Sequence, residues 1–521
     1  MLSDLKKDIE GGDGGDGEVD FSGRPFHFIG IGGIGMSAIA SVLLDQKILV
    51  SGSDKTLNHI TQRLQQQGAH IFDAQAADNL TVFLPSSTVS GETPIQVGVS
   101  PGAAQPHRTD NAHSARRNAA AQQMAPQVIC STAISKSNSE YQAALSLGCP
   151  VFHRSDVLAG LMRRYRGIAV AGTHGKTTTS SMMGYVLLKA GLDPTIVVGG
   201  EVRAWQGNAR TGKGAYLLAE ADESDGSLVK LSPQIGVITN VELDHPDHYA
   251  SIDDVVRIFR QFSQQCQILI ACADCETVSK ALSPTTTYGV EPGSQADYVA
   301  TNIDYGDRGT QAIIWEHGQQ LGKLELQVLG AHNLSNSMAA VALGRLLGLP
   351  FDLIAEALSE FEGARRRYEL RGQVNQITFV DDYAHHPSEI RATLAAASLQ
   401  AQAGRRIVAI FQPHRYSRTL TFLAEFSHAF QNAHQVVLTD IYAAGEPVSA
   451  HINGEMLASA VQANHSCVVY RPSLPGVVSY LKDTLRPGDV ALFLGAGNLN
   501  QVIPELMAFY QQQDVKASLP L

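Results

Sequence analysis

The stretch VAGTHGKTTTSS (Val170–Ser181) closes the apolar run GIAVAG with a glycine turn and continues into a segment of helical character. A strand that ends in such a turn and passes into a helix is the unit from which parallel α/β sheets are built. Ligands of these sheets sit outside the carboxyl ends of the strands, where loops meet helix N-termini. Gly172, Thr173, His174 and Gly175 form the turn, whose N–H groups suit phosphate oxygens. Lys176 adds a positive charge for β and γ phosphates, Thr177 a hydroxyl for magnesium, and Thr178 continues the first helical turn. Only two residues separate Gly172 from Gly175, a tighter spacing than GxxxxGK[ST]. The turn predicts a triphosphate site and leaves open which group accepts the phosphoryl.

Further strand ends point the same way. GAYLLAEADESDGS places Glu220, Asp222, Glu223 and Asp225 just past an apolar run. Acids this close repel unless they are solvated or face a cation, and Glu220, first after the strand, suits a magnesium ion on a triphosphate. QIGVITN then runs into VELDHPDHY, delivering Asp244, His245, Asp247 and His248 to the same edge; His245 suits either a second metal contact or ordinary packing. Upstream, HFIGIGGIGMS holds GxGxxG at Gly30, Gly32 and Gly35, and Asp54 ends the next strand, KILVSGSD. That spacing is a dinucleotide fingerprint, but the same turn accepts the diphosphate of any nucleotide. Downstream, DDYAHHPSEI, FQPHRYSRT and GAGN each follow an apolar run, gathering histidines and arginines as an anionic or zwitterionic substrate requires.

At 521 residues the chain predicts about three domains. Its formal charge of −11 gives no general attraction for nucleic acid or an anionic membrane, so anions must be held locally. No apolar run is long enough to span a bilayer, and MLSDLKKDIEGGDGGDGEVD is acidic and glycine-rich where a signal peptide would be basic and then apolar. A disordered tail on a cytoplasmic protein is expected. The six cysteines suggest no disulfide framework, and CADC (Cys272–Cys275) lacks the second pair a four-thiolate metal site needs, which predicts free thiols. Ser90–Gln127, rich in Ala, Gln, Pro and Ser without apolar period, predicts a mobile surface insertion.

From the residues alone, a nicotinamide oxidoreductase using Gly30–Gly35 or a nucleotide-switched binding protein remains open. Taken in order, HFIGIGGIGMSAIA, SGSD, GTHGKTTT, EADESDGS, TNVELDH, GAHNLSN, RRRYE, DDYAHHP, FQPHRYSRT, YAAGE and GAGN resemble the Mur amide ligases from Phe26 to Leu506. The resemblance implies an α/β protein of three domains: a Rossmann-like UDP-binding domain, a central P-loop ATPase with a parallel sheet, and a Rossmann-like C-terminal domain. The expected division is a tail over 1–22, the UDP-sugar domain over 23–165 with its insertion at about 90–127, the ATP domain over 166–364 and the amino-acid domain over 365–521.

It further implies ATP and Mg2+, with UDP-N-acetylmuramate and L-alanine as reactants and a monomer or weak homodimer as the working form. A ligase adding a tripeptide to the same sugar nucleotide is the related alternative. By motif, Gly30, Gly32, Gly33 and Gly35 would cradle the UDP diphosphate beside Asp54, with no nicotinamide involved. Gly172–Thr178, His332, Asn333 and Asn336 would hold ATP, while Thr177, Glu220 and His245 would hold magnesium. Arg367 would approach the phosphates, and Tyr383, His385, His414 and Arg415 would close the amino-acid end. Lys176, Glu220, His245, Arg367, His414 and Arg415 are the residues expected to carry the chemistry. The chain departs from the family pattern after GAHIF, where DAQAADNL replaces a usual Gly-His pair, and in carrying the long insertion before CSTAI.

Overall fold

The β-branched runs become the strands of three sheets in a computed structural model that describes residues 18–83, 125–401 and 404–518. The first sheet holds β1 (Phe26–Ile29), β2 (Val50–Ser53), β3 (His70–Phe72), β4 (Gln127–Cys130) and β5 (Val151–His153), all parallel in the order β3-β2-β1-β4-β5. The second is made of β6 (Arg166–Ala171), β7 (Thr195–Val202), β8 (Gly207–Arg210), β9 (Tyr216–Glu220), β10 (Ile235–Ile238), β11 (Ile268–Cys272), β12 (Thr286–Gly289), β13 (Tyr298–Gly306), β14 (Gly309–Glu316) and β15 (Gln319–Leu326). Its order is β15-β14-β13-β12-β11-β10-β6-β9-β7-β8, parallel from β13 to β7. The third comprises β16 (Glu369–Val374), β17 (Ile377–Asp382), β18 (Ile407–Phe411), β19 (Gln435–Leu438), β20 (Val468–Tyr470) and β21 (Val490–Leu494), in the order β16-β17-β21-β18-β19-β20 with only β16 antiparallel.

Strand order reverses at β1/β4, around β6 and around β21, the points outside whose carboxyl ends ligands of such sheets bind. At the second of these points β6 is apolar on both faces because helices cover both. Ile168–Ala171 are fully buried, under Met182, Val186 and Met338 on one side. On the other lies helix Ile252–Gln265, which buries Val255, Ile258, Phe259 and Phe262 at helical spacing. Among the described residues no helix is long and apolar enough to cross a membrane.

Three features depart from the sequence reading. Glu18–Ser22 lie among the described residues: Val19 is buried, and Asp20 exchanges hydrogen bonds with the Gln127 side chain, so packing starts ahead of the expected end of the tail at 22. The insertion expected over 90–127 falls outside the described residues except at its end, where Gln127 opens β4 and pairs with Phe26. The chain from Tyr298 to Leu326 is an antiparallel meander on the sheet edge, turned at DRG and EHGQ; those polar and glycine signals mark hairpins in a block read as parallel throughout.

The first and second domains are stitched at the β7–β8 hairpin. Asn208 Nδ2 donates to Ile34 O at 2.5 Å and to Ser37 Oγ at 2.9 Å, and its Oδ1 accepts from Arg63 at 3.2 Å. Glu201 receives His59 of the first domain at 3.1 Å and Arg365, at the start of the third, at 2.7 Å.

Candidate active site

Three adjacent strands of the second sheet bring their ends together. After β6, Gly172 takes φ +138° and Gly175 φ +81°, and a Cβ on Gly172 would collide with Thr239 Oγ1. Glycine is required there by conformation and by space. Gly175 starts helix Lys176–Lys189, and no side chain caps that N-terminus. Lys176 Nζ donates to Gly172 O at 2.7 Å, Thr173 O at 3.0 Å and Glu223 Oε1 at 2.9 Å. Glu220, ending β9, accepts from Thr177 Oγ1 at 2.9 Å and from Gly199 N at 2.7 Å. From the end of β10, His245 lies 3.8 Å from Glu223, at φ +54°.

Charge is set by burial and neighbours. Burial, with Asp222 beside it, pushes Glu223 up to about 7 against the pull of Lys176. Burial opposes ionisation of Asp222 too, but Arg154 and Lys176 outweigh it and hold that carboxyl well below the usual range. Burial lowers His245, leaving a neutral imidazole as a metal ligand requires.

The third domain closes over these groups. Arg367 reaches Thr177 Oγ1 at 3.4 Å, lies 3.9 Å from Glu389 and stacks on the Tyr383 ring at 5.2 Å. His385 touches the Tyr383 ring at 5.3 Å and the His414 ring at 5.8 Å; burial pushes these histidines down to about 3 and about 4, so both are neutral. Arg415 donates to Asp247 at 2.5 Å, and Arg418, only 2% exposed, donates to Asp244 at 2.8 Å. Each of these last two pairs joins the third domain to the loop after β10.

His174 has Glu242 and Glu389 on its two ring nitrogens, each at 3.4 Å. Burial opposes its charge, but the two carboxylates outweigh it and push the imidazole up to about 10. Burial would raise Glu242, yet His174 and Ser388 carry it down to about 2. A histidine raised in the folded state stabilises fully below its ordinary value of 6.5 and loses that contribution as pH climbs toward the raised one. Because Glu389 belongs to the third domain, closure is expected to weaken progressively between pH 6.5 and about 10. Small-angle scattering across that range should show the expansion, and His174→Gln should flatten it; an equally steep variant curve would count against this origin.

A cleft of about 230 Å³ opens beside the turn, lined by His174, Gly175, Thr178, His332, Asn333 and Asn336, with Arg367, Asp382 and Glu389 facing them. Burial pushes His332 down to about 4 and Asp382 up to about 6. Asn336 accepts from Thr179 at 3.0 Å and lies so close to Gly175 that a Cβ there would come within 2.6 Å of it, so it braces the turn from behind.

In the first domain, Gly30 (φ +82°) bonds to Ser53 O, and Gly32 N donates to Asp54 at 2.9 Å; Asp54 is turned onto the glycine loop. Gly33 caps helix Ile34–Asp45 without a side-chain bond, and Gly35 faces Arg154, which pairs with Asp222 at 2.7 Å. Arg154 follows β5 directly, so the strand-end rule applied to VFHR would have found it. Arg418 stands three residues after Arg415 in HRYSRT, one helical turn on, and spacing from Arg415 is the signal that points to it. Glu242 and Asp382 sit at strand ends too, in VELDH and FVDDY, whereas Glu389 carries no such signal.

These groups fit the implied ligands. An uncapped helix N-terminus behind two left-handed glycines, with a partly buried lysine, suits phosphate. The Thr177 hydroxyl and Glu220 carboxylate are the oxygen donors magnesium takes. His245→Ala is expected to raise the magnesium concentration needed for half-maximal rate; an unchanged metal titration would remove His245 from the metal's surroundings.

Three family models cover most of the chain: the Mur ligase family catalytic domain over residues 25–166, the Mur ligase middle domain over 170–344 and the Mur ligase glutamate ligase domain over 366–497. A UDP-N-acetylmuramate–L-alanine ligase of Nostoc punctiforme is 60% identical over 492 residues, 94% of this chain and 98% of its own. One from Crocosphaera subtropica is 57% identical over 504 residues, 96% of this chain and 97% of its own. The crystal structure of a UDP-N-acetylmuramate-alanine ligase from Thermotoga maritima superposes with a TM-score of 0.75 at 28% identity, covering 94% of this chain and 99% of that one. With the three sheets, the converging strand ends and these likenesses in agreement, the chain belongs to the Mur ligase family.

Proposed function

We propose that the protein is an ATP-dependent ligase that joins L-alanine to the lactyl carboxylate of UDP-N-acetylmuramate, releasing ADP and phosphate, in peptidoglycan precursor synthesis. The observation that carries this reading is the meeting of the Lys176 turn, the Glu220 and His245 strand ends and the Arg367–His385–His414 face across one interdomain crevice. The names of the relatives support the choice of reactants.

A carboxylate resists amine attack, so it first takes the γ-phosphoryl of ATP to give an acyl phosphate; the amine then adds and phosphate leaves. Lys176 offsets charge on the transferring group, and its contact with Glu223 holds the ammonium at the turn. Thr177, Glu220 and His245 would hold magnesium, which would supply Lewis-acid neutralisation of the phosphates. Arg367, lying against Thr177, brings a second fixed cation from the third domain as it closes. Neutral His385 and His414 leave the amino-acid end without a fixed imidazolium to repel the incoming ammonium, while Arg415 provides charge for its carboxylate. Closure also keeps water from the acyl phosphate.

The test is release of ADP and phosphate from ATP with UDP-N-acetylmuramate, against a panel of amino acids and a muramyl-type tripeptide. Product formation dependent on L-alanine is expected. Dependence on the tripeptide alone, or hydrolysis without any joined product, would overturn the assignment.

A further inference from the structure

A cluster beside the turn has donor chemistry that magnesium does not call for. His174, Glu242 and His386 each offer one ligand atom within 4.8 Å of the others. His174 Nε2 and Glu242 Oε2 stand 3.4 Å apart, the spacing of two donors on one tetrahedral ion with bonds of about 2.0–2.1 Å. Buried ring nitrogens normally have partners. Yet Nε2 of His386 is buried without a hydrogen bond, Nε2 of His174 has only its 3.4 Å charge contact with Glu242, and the two ring centroids lie 4.7 Å apart, with Nδ1 of His386 at 4.0 Å from Glu242.

The surroundings are those of a metal site. Glu389 lies 3.4 Å from the far nitrogen of His174, the carboxylate–histidine arrangement that fixes which nitrogen faces a metal. Ser388 donates to Glu242 at 2.6 Å and orients that carboxylate. Two imidazoles and one carboxylate are a donor set chosen by zinc-class ions over magnesium.

We propose that His174, Glu242 and His386 bind a single zinc-class divalent ion, separate from the magnesium position at Thr177 and Glu220. His174 and Glu242 come from the second domain and His386 from the third, so the ion bridges them and holds the molecule closed. The proton His174 carries in the metal-free protein is displaced on binding.

Titrating the full chain with Co2+, magnesium in excess, reads the site directly, because tetrahedral Co2+ absorbs visible light strongly. One saturable Co2+ is expected, and zinc should displace it. His386→Gln and Glu242→Gln should each weaken binding at least tenfold, by the scale of lost ligands, while His245→Ala should retain it. Scattering should show a narrower, more compact wild type with Zn2+ and no such change in His386→Gln. Metal-free melting curves establish that the variants fold; should one not, the other decides. Absence of Co2+ bands in the wild type, loss of them in His245→Ala with retention in His386→Gln, or a scattering curve indifferent to Zn2+ would each overturn the proposal.

Discussion

Lys176→Ala is expected to lower turnover by roughly 10²–10³-fold, the loss typical when a preorganised charge-stabilising donor is removed. Lys176 is held at the turn by two loop carbonyls and Glu223, which together use its three N–H donors, so its ammonium stands at the turn and exchanges one of these bonds for a phosphate oxygen. The truncation does not leave an unpaired charge inside. Glu223 is already raised to about 7 by burial and the Asp222 charge, and without the lysine it takes up a proton. The variant should therefore fold, with a melting temperature near the wild type, and still bind the sugar nucleotide. Steady-state ligation rates beside a melting curve check this; undiminished ligation would eliminate the phosphate role of Lys176.

Arg418→Ala should act through domain closure. Arg418 and Asp244 are 2% and 5% exposed, and their 2.8 Å contact crosses between the third and second domains. Burial works against the Asp244 charge, and Arg418 is the largest influence holding its carboxyl well below the usual range. Removing one member of a buried pair costs about 3–5 kcal/mol, because the other charge stays desolvated. That is a factor on the order of 10²–10⁴ in the balance of closed to open molecules. Ligation should fall by a comparable factor, with an increased radius of gyration in solution. Adding Asp244→Asn to Arg418→Ala should recover part of the closure, since the stranded charge is gone. A compact, fully active Arg418→Ala protein would show that the pair does not govern docking.

Much of the arrangement was legible because its signals are local. Val170–Thr177 announces itself through an apolar run, two glycines and a lysine within a few residues, and Glu220 and His245 are found by the same strand-end rule. The edge meander at Tyr298–Leu326 was not legible because polar and glycine-bearing turns such as DRG and EHGQ mark a chain reversal without saying whether a hairpin or a crossover follows. Glu389 sits mid-segment in HHPSEIRA with nothing to distinguish it from a helix surface acid; its meaning arises only when the third domain sets it against His174. Arg418 likewise gains its role from Asp244, 174 residues away in the chain. Asp54 carries the spacing of a ribose-binding acid, but in the folded chain its carboxylate braces Gly32.

The collision between a Cβ at Gly172 and Thr239 has a bearing on how this enzyme meets antibiotics. Any single-codon change at Gly172 adds atoms where none fit, at a backbone angle few residues adopt. An inhibitor that draws its affinity from the peptide groups of that turn, and not from neighbouring side chains, would press on a position from which resistance has no inexpensive escape.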